Sequence, residues 1–269
     1  MELGLKGKVV LVTGSSKGIG RSIAAGFARE GCHVVINSRN AKELDATASE
    51  LRSHTAAGGT IHAVASDVTE AAGAQRVVDE TVSRFGTIHV VVNNAGGVSR
   101  FGSFEDLTDD EWLGAFTLNV LSAVRVTRAS LPHMQKQKWG RIINISSESG
   151  VQPDPMMPHY NASKAAMNNL TKSLSKAYGK DNILVNTVSP AFIRTPLLDG
   201  MLEEQARARG ITFDEAEQAM LREFRPNILL GRAGKSDETA GIVVFLASDH
   251  ATFITGSNFR VDGGSVASL

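Results

Sequence analysis

Short runs of consecutive apolar residues alternate along the chain with longer stretches in which apolar residues recur at helical spacing. Consecutive apolar residues are typical of parallel strands that are buried on both faces. The apolar runs are 9–12, 34–36, 61–65, 88–92, 141–145, 183–188 and 258–261. The helical stretches are 19–30, 41–54, 71–85, 109–129 with Pro132 near the end, 158–178 and 237–247. This alternation predicts an α/β fold, a doubly wound, seven-stranded parallel sheet with helices on both faces, in one domain spanning residues 1–269.

Residues 191–226 interrupt this alternation with a longer segment that is apolar at its start and strongly charged afterwards. Its later apolar residues recur at roughly helical spacing, which predicts two helices. Long excursions from a compact domain often cover a ligand, so we expect a substrate-binding lid; the alternative is a fixed surface hairpin of helices. The opposite wall of such a pocket would comprise Val98, Phe104, Met156 and Met157. A pocket of this composition would favour substrates with an apolar portion.

Composition and charge exclude several classes of function. Lys and Arg number 28 and Asp and Glu also 28, a balance that gives no indication of a nucleic-acid groove or of a surface for anionic membranes. Cys32 is the only cysteine, and the histidines show no ligand spacing, so no metal site is expected. The N-terminal residues lack the apolar core of a signal peptide, and no apolar run could span a bilayer. We therefore expect a cytoplasmic protein.

Four polar or glycine-containing motifs follow predicted strands directly, at Thr13-Gly14, Asn93–Gly96, Ser146-Ser147 and Ser189-Pro190. In open parallel sheets, ligands bind beyond the carboxyl ends of the strands, so these motifs should converge on one site. The first belongs to a glycine-rich turn, 13–20, between a strand and a helix. Such a turn lets the backbone approach a pyrophosphate at the positive end of the helix dipole.

Tyr160 and Lys164 are four residues apart in a predicted helix, which places both side chains on one face. An ammonium close to a phenol favours the phenolate and lowers the pKa of the phenol, and a pKa about 2–3 below the ordinary value would suit Tyr160 to proton transfer. A phenol with such a pKa can exchange a proton near neutral pH.

Together these motifs resemble the short-chain dehydrogenase/reductase family along nearly the whole chain. The glycine turn, Asn93-Asn-Ala-Gly96 and the Tyr160–Lys164 pair match the family's motifs in order and spacing, and Ala191 departs from its usual Pro-Gly. The resemblance implies a Rossmann-type fold and a catalytic group of Asn119, Ser147, Tyr160 and Lys164. In that group Tyr160 is the general acid and base, Lys164 lowers its pKa and holds the nicotinamide ribose, Ser147 polarises the carbonyl, and Asn119 holds a water.

The resemblance also assigns a nicotinamide dinucleotide site. Its implied residues are Gly14, Ser16, Lys17, Gly18, Ile19, Gly20, Ser38, Arg39, Asp67, Val68, Asn93, Ala95, Gly96, Tyr160, Lys164, Pro190, Ile193 and Thr195. Residues 37 and 38, after the second strand, include no acid that would repel a 2′-phosphate, and Lys17 and Arg39 could bind one. We therefore expect NADP(H) to be preferred over NAD(H).

The expected reaction moves a hydride between this cofactor and a carbonyl or secondary alcohol. Residues expected to contact the small-molecule substrate are Val98, Glu148, Met156, Phe192 and Leu198. One alternative is a 3-oxoacyl carrier-protein reductase, with Lys136, Lys138 and Arg141 as a basic docking patch. The other, a nucleotide-binding scaffold without turnover, would be typical of an incomplete catalytic group. The resemblance further implies a homotetramer in which the helices at 109–131 and 158–178 pair through Ala115, Ala123, Ala165 and Ala166.

Overall fold

A central seven-stranded parallel sheet organises the computed structural model, which describes residues 2–267. Its strands are β1 (Val9–Val12), β2 (His33–Ser38), β3 (Thr60–Ala65), β4 (Val90–Asn93), β5 (Gly140–Ile145), β6 (Ile183–Pro190) and β9 (Asn258–Val261). A separate parallel pair comprises β7 (Ile193–Arg194) and β8 (Gly234–Lys235), which the apolar pattern did not predict. The sheet order is β3-β2-β1-β4-β5-β6-β9, so the chain reverses direction across the sheet between β1 and β4. The prediction of the fold class is confirmed.

Nine α-helices surround these strands in the part of the chain that the structure describes. They are α1 (Gly18–Arg29), α2 (Ala41–Ser53), α3 (Ala71–Phe85), α4 (Asp109–Phe116), α5 (Ser122–Gln137), α6 (Pro158–Tyr178), α7 (Pro196–Arg209), α8 (Phe213–Phe224) and α9 (Ser236–Ala247). The bounds predicted for 71–85 and 158–178 are confirmed without change. Within residues 2–267, no helix combines the length and apolarity needed to cross a membrane.

Two apolar layers cover the two faces of the sheet. Successive residues of a strand point to opposite faces, and β1 shows this directly. Val10 and Val12 pack with Phe27 of α1 on one face, where α2 and α9 also lie. Leu11 packs with Val77 of α3 and Met134 of α5 on the other face. Because both faces are covered, a site is expected at the strand ends, and in open parallel sheets ligands bind at the carboxyl ends.

The long helix predicted at 109–129 is divided by a single π-helical turn, Thr117–Leu121, between α4 and α5. A wider turn of this kind is common at functional sites in helices. Pro132 does not end the helix, which continues to Gln137. The physical reason is burial, because Leu131 and Met134, on either side of the proline, are buried in the same apolar layer as Leu11 and Val77.

The segment 191–226 forms the two helices expected, α7 and α8. Their apolar residues pack mainly on one another, in a small core of Leu198, Leu202, Ala216 and Met220. These apolar residues therefore face one another rather than a substrate-binding space. The two-stranded pair of β7 and β8 joins the start of the segment to the chain that follows it.

Two of the four alanines expected at a subunit interface face the interior of their own chain. Ala115 and Ala123 are only 3% and 4% exposed. They are therefore covered already, and the expectation that they pair across an interface is wrong. Ala165 is exposed and Ala166 half-buried on α6.

Candidate active site

The glycine-rich turn between β1 and α1 is bound to the loop that follows β4. The Thr13 hydroxyl oxygen accepts hydrogen bonds from the backbone N–H groups of Asn94 and Ala95, at 3.1 and 3.0 Å. The Asn94 amide nitrogen donates to the carbonyl oxygens of Thr13 and Gly14, both at 2.9 Å. Asn94 was not among the predicted site residues, although it lies within the motif at 93–96. These bonds fix the turn at the point where the chain reverses across the sheet.

The turn fits a dinucleotide pyrophosphate. A Cβ at Gly20 would lie 2.4 Å from the carbonyl oxygen of Gly14, and Gly14 itself has a φ of +62°. Both positions therefore require glycine, and the backbone at the start of α1 stays open to a ligand. Lys17, the residue that precedes α1, makes no side-chain hydrogen bond to the first turn, so the first N–H groups of the helix are left for an anion.

The residues predicted at the adenosine end of the cofactor lie close together, but acidic side chains accompany the two cations. Arg39 Nη1 lies 3.8 Å from Asp67 Oδ2, and Lys17 Nζ lies 3.9 Å from Glu43 Oε1. The Ser16 hydroxyl also donates to Glu43 Oε2, at 3.3 Å. Glu43 is in the first turn of α2, and its presence beside Lys17 was not foreseen. Ser38 lies at the end of β2.

A cleft of about 310 Å³ runs from this turn to the ends of β5 and β6. It is lined by predicted site residues: Gly14, Lys17, Gly18, Ile19, Gly20, Ala95, Gly96, Ser147, Tyr160, Lys164, Pro190 and Thr195. Unpredicted lining residues include Asn94, Ile145, Pro196 and Leu197. The convergence expected from the strand ends is therefore what the structure shows.

Four side chains meet at the inner end of this cleft. The Ser147 and Tyr160 side chains both line it, and Ser147 is close enough to Tyr160 to oppose the rise in its pKa. Lys164 donates from Nζ to the carbonyl oxygen of Ile145 at 2.8 Å. Asn119, in the π-helical turn, exchanges two hydrogen bonds with the backbone of Gly97, at 2.8 and 3.1 Å. The π-helical turn thus aims the Asn119 amide at the loop that follows β4.

Lys164 and Asn119 are neighbours across Gly96. A Cβ at Gly96 would lie 2.7 Å from Asn119 Oδ1 and 3.3 Å from Lys164 Nζ. Any larger residue at Gly96 would therefore displace one of these two groups. The four residues that the family resemblance grouped together are thus brought to one place.

Burial shifts the pKa values of Tyr160 and Lys164, and the shift of Tyr160 is opposite to the one expected. Burial raises the pKa of the Tyr160 phenol above its ordinary value, against the opposing effects of the neighbouring Ser147 side chain and the Arg225 charge. Burial also lowers the pKa of Lys164 from 10.5 to about 8. The expectation that the Lys164 ammonium lowers the pKa of Tyr160 does not match this direction, because the desolvation of the phenol is the largest effect on its pKa.

Several predicted cofactor residues have side chains that point away from the cleft. Asn93 is buried and donates to Thr127 and Asn144, so its side chain joins β4 to α5 and β5. Val68 belongs to the apolar layer that α3 and α5 form on one face of the sheet. Ile193 is buried, with 7% of its surface exposed, and it lies beside a second cavity between β7 and β9. Contacts from these residues to a ligand in the cleft would have to come from the backbone.

The predicted substrate residues are dispersed. Leu198 is buried between α7 and α8, and its neighbour Leu197 lines the cleft instead. Phe192 packs against the same helical core and lines the second cavity. Val98 and Met156 lie in loops outside the cleft lining, and Met156 is 46% exposed.

Glu148 is also outside the cleft lining, but it belongs to an ion-pair cluster beside Tyr160 that the sequence did not reveal. Arg225, at the end of α8, lies 2.6 Å from Glu148 Oε1 and 2.9 Å from Asp154 Oδ2. Glu148 is 2% exposed, and both it and Arg225 lie close enough to Tyr160 to shift its pKa, in opposite directions. Arg225 is one charged residue among many in its segment, and no pattern singled it out.

Comparison with known proteins identifies the family. The family model described as short chain dehydrogenase matches residues 8–206. The chain belongs to the short-chain dehydrogenase family. It is therefore an NAD(P)-dependent oxidoreductase acting on alcohol or carbonyl groups.

Three relatives are similar over nearly their full length. An L-sorbose reductase from Gluconobacter frateurii, solved in complex with NADPH and L-sorbose, superposes with a TM-score of 0.94, at 36% identity over 100% of both chains. An NADP-dependent (R)-specific alcohol dehydrogenase from Lentilactobacillus kefiri is 38% identical, covering 98% of each chain. A 3-oxoacyl-[acyl-carrier-protein] reductase from Thermotoga maritima is 35% identical, covering 97% of this chain and 99% of the relative.

Proposed function

We propose that the enzyme interconverts a small-molecule carbonyl compound and its secondary alcohol, with NADP(H) preferred over NAD(H). The observation that carries this proposal is the convergence of Ser147, Tyr160 and Lys164 on one cleft, which begins at a phosphate-binding turn. Two relatives with similar chains are named for NADPH or NADP use. A bound nicotinamide would supply or accept the hydride.

The side chains of this site would divide the remaining work. Tyr160 would donate a proton to the carbonyl oxygen during reduction and remove it during oxidation. The Ser147 hydroxyl would hold the same oxygen and stabilise its developing negative charge. Lys164, which is hydrogen-bonded to Ile145 and adjacent to Asn119, would supply a cation next to Tyr160 and a donor to the cofactor ribose. Asn119 would hold the loop at Gly97 and a water beside Lys164.

The cofactor preference rests on Lys17 and Arg39, the two cations near the end of β2. Residues 37 and 38 are Asn and Ser, so no carboxylate is positioned there to repel a 2′-phosphate. Asp67 and Glu43 partly neutralise the two cations. We therefore propose that NADPH binds more tightly than NADH, with a margin that these acids reduce.

The segment 191–226 is proposed to act as a lid, anchored on both sides of the cleft. At its start, Thr195 lies beside the glycine turn, because a Cβ at Gly18 would lie 3.3 Å from Thr195 Cγ2. At its end, Arg225 is bound to Glu148 and Asp154 on the loop between β5 and α6. The helices between these anchors pack mainly on each other, so they could move together.

A carrier-protein substrate is less well supported. Arg141, which the docking patch requires, is 1% exposed and lies under the Trp139 ring, 4.2 Å from its centroid. Lys136 and Lys138 are exposed, but they precede β5, whereas the cleft lies at its other end. The expectation that Arg141 contributes to a docking surface is wrong.

Two broader expectations stay predictions. We propose a homotetramer in the cytoplasm, in which the exposed Leu113 of α4 and Leu121 of the π-helical turn, rather than the buried alanines, contact a neighbouring subunit. Sedimentation showing only monomer at micromolar concentration would contradict this assembly without affecting the fold.

The proposed reaction is tested by mixing the purified enzyme with NADPH and a panel of ketones, aldehydes and ketoses. We expect NADPH absorbance to fall and a secondary or primary alcohol to form in equal amount. NADPH binding without turnover across the panel would favour the scaffold alternative.

A further inference from the structure

The loop between Ser147 and Tyr160 is cross-linked at its two ends by a side chain from a distant part of the chain. Arg225, which follows α8, binds both ends. Its Nε lies 2.6 Å from Glu148 Oε1, and its Nη1 lies 2.9 Å from Asp154 Oδ2. A guanidinium is planar and rigid, so the use of two of its nitrogens fixes the separation of the two carboxylates.

The first end of this loop holds Ser147. The Ser147 hydroxyl oxygen accepts a hydrogen bond from the backbone N–H of Ser149 at 3.1 Å, within the short turn that Glu148 begins. Since the oxygen is the acceptor in this bond, its own proton is left to donate to a substrate oxygen. The orientation of the Ser147 hydroxyl therefore depends on where the turn 148–150 lies.

The second end of the loop holds the start of α6, which carries Tyr160. The carbonyl oxygen of Asp154 accepts hydrogen bonds from Asn161 Nδ2 at 2.6 Å and from the backbone N–H of Met157 at 3.3 Å. Asn161 directly follows Tyr160, and Met157 directly precedes α6. The first turn of α6 is therefore tied to Asp154, just as Ser147 is tied to the turn of Glu148.

Glu148 depends on Arg225 for its charge balance. The Glu148 side chain is 2% exposed, and among residues 2–267 Arg225 is the only cation that forms an ion pair with it. Arg225 is itself largely buried, and its Nη1 also donates to the carbonyl oxygen of Phe224 at 2.6 Å. A buried carboxylate that loses its cation is strongly destabilised, so without Arg225 the Glu148 side chain would turn toward water and displace the turn beside Ser147.

We propose that Arg225 is a positioning residue for the reaction, which sets the spacing of Ser147 and Tyr160 by bridging both ends of the loop between them. Arg225 is outside the cleft lining, so it acts through Glu148 and Asp154 rather than by contact with the reacting atoms. It belongs to the segment 191–226, so the two catalytic groups keep their spacing only while the end of that segment stays docked on the loop. This inference rests on the proposed function.

Arg225→Ala removes the bridge and leaves the glycine turn untouched. Misplacement of catalytic groups by a fraction of an ångström to 1 Å is costly, so kcat for a carbonyl compound that the unmodified enzyme reduces should fall by about tenfold to a hundredfold. The NADPH dissociation constant should stay nearly constant, because the glycine turn is held by Thr13 and Asn94. Arg222→Ala, which removes an exposed arginine of α8, is the matched control and should change neither quantity.

Ethylguanidinium supplies the atoms that Arg225→Ala lacks, and it separates a lost bridge from general damage to the fold. Added far below the concentration that unfolds the protein, it should raise the kcat of Arg225→Ala several-fold. Ethylammonium at the same concentration carries the charge on a single nitrogen and should not restore kcat, because it cannot reproduce the planar fork. Neither additive should raise the kcat of the unmodified enzyme.

Asp154→Asn weakens only one arm of the bridge and keeps the inference testable if Arg225→Ala does not fold. Its kcat should fall by about threefold to tenfold, with NADPH binding unchanged. An unchanged kcat in either folded variant would overturn the inference. A loss in Arg225→Ala that ethylguanidinium does not reverse, or that is matched by an equal loss of NADPH affinity, would also overturn it by indicating a merely structural role.

These results leave the proposed function intact, because the unmodified enzyme still reduces its substrate. Failure of the unmodified enzyme to oxidise NADPH with any carbonyl of the panel would instead remove the proposed function, and this inference with it.

Discussion

Lys164 donates a hydrogen bond from Nζ to the carbonyl oxygen of Ile145 at 2.8 Å, in a position that is only 4% exposed. One hydrogen bond does not replace the hydration of an ammonium group, and burial lowers its pKa from 10.5 to about 8. The enzyme therefore keeps a destabilised cation beside Tyr160. A residue retained at such a cost is typical of a functional site.

Replacing Lys164 with Met should stabilise the fold while removing turnover. The folded pKa lies below the unfolded value, so the penalty on the ammonium is complete below about pH 8 and is lifted as pH rises toward 10.5. The gain in unfolding free energy at neutral pH should thus reach about 3 kcal/mol, less the lost bond to Ile145, and should shrink at about pH 9.5. Urea unfolding at both pH values measures it.

The matched control for this prediction is Lys172→Met, an exposed lysine on the same helix. It should change stability little at either pH. A Lys164→Met protein that is less stable at neutral pH, or whose gain grows with pH, would contradict the electrostatic account.

The cofactor preference should respond in opposite directions to two charge changes near the end of β2. Arg39→Asp removes a phosphate partner and adds repulsion, so the preference for NADPH over NADH should fall by about 1–3 kcal/mol. Glu43→Gln frees Lys17 and Ser16 from a carboxylate, so NADPH should bind about threefold more tightly while NADH binding stays constant. Titration of cofactor fluorescence gives both dissociation constants.

Glu50→Gln is the control for Glu43, because Glu50 lies on the same helix and is paired with Arg21 away from Lys17. It should alter neither dissociation constant. Equal affinities for NADPH and NADH in the unmodified enzyme would show that Lys17 and Arg39 do not select the cofactor.

The glycine turn offers a second test of the cofactor site. Gly20→Ala would place a methyl group 2.4 Å from the carbonyl oxygen of Gly14 and from the Asn94 amide. The turn must then shift, and NADPH affinity should fall by at least about tenfold. Gly241→Ala, in α9 with no atom within 4 Å of the added Cβ, should preserve affinity and raise stability by about 0.5–1 kcal/mol. Similar NADPH affinities for the two variants would contradict the role of the glycine turn in cofactor binding.

The proposed lid predicts a change in backbone protection. Hydrogen exchange at residues 195–226 should slow when cofactor and a competent substrate bind together, because binding would hold the segment against the loop that carries Glu148. Exchange in β5 provides the internal reference. A segment that already exchanges as slowly as β5 without ligand, and that ligands leave unchanged, would be a fixed pair of helices.

The local pattern of apolar residues was sufficient to predict most of the fold. Val9–Val12 is buried on both faces, and its apolar run predicted a parallel strand before any contact was known. The Tyr160–Lys164 spacing correctly placed both residues on one helix. Pro132 was misjudged because the burial of Leu131 and Met134, which keeps the helix intact, depends on tertiary packing.

Contacts between distant segments were not predictable in the same way. Glu148 and Arg225 are 77 positions apart, and no periodicity connects them. The choice between Leu197 and Leu198 as a lining residue depends on how α7 rotates against α8, which spacing alone did not determine. The pKa of Tyr160 likewise depends on its burial, which is the largest effect on it and raises it.

The proposed mechanism depends most directly on the proton that Tyr160 would transfer, and Tyr160→Phe removes it while retaining the ring. The measurements are kcat with NADPH and a carbonyl compound that the unmodified enzyme reduces, and the NADPH dissociation constant. Both are made for Tyr160→Phe and for the control Tyr178→Phe, which changes the other tyrosine of the same helix. We expect kcat to fall by about a hundredfold to ten-thousandfold in Tyr160→Phe alone, with NADPH binding nearly unchanged in both. Substantial turnover in a folded, NADPH-binding Tyr160→Phe enzyme would contradict the account.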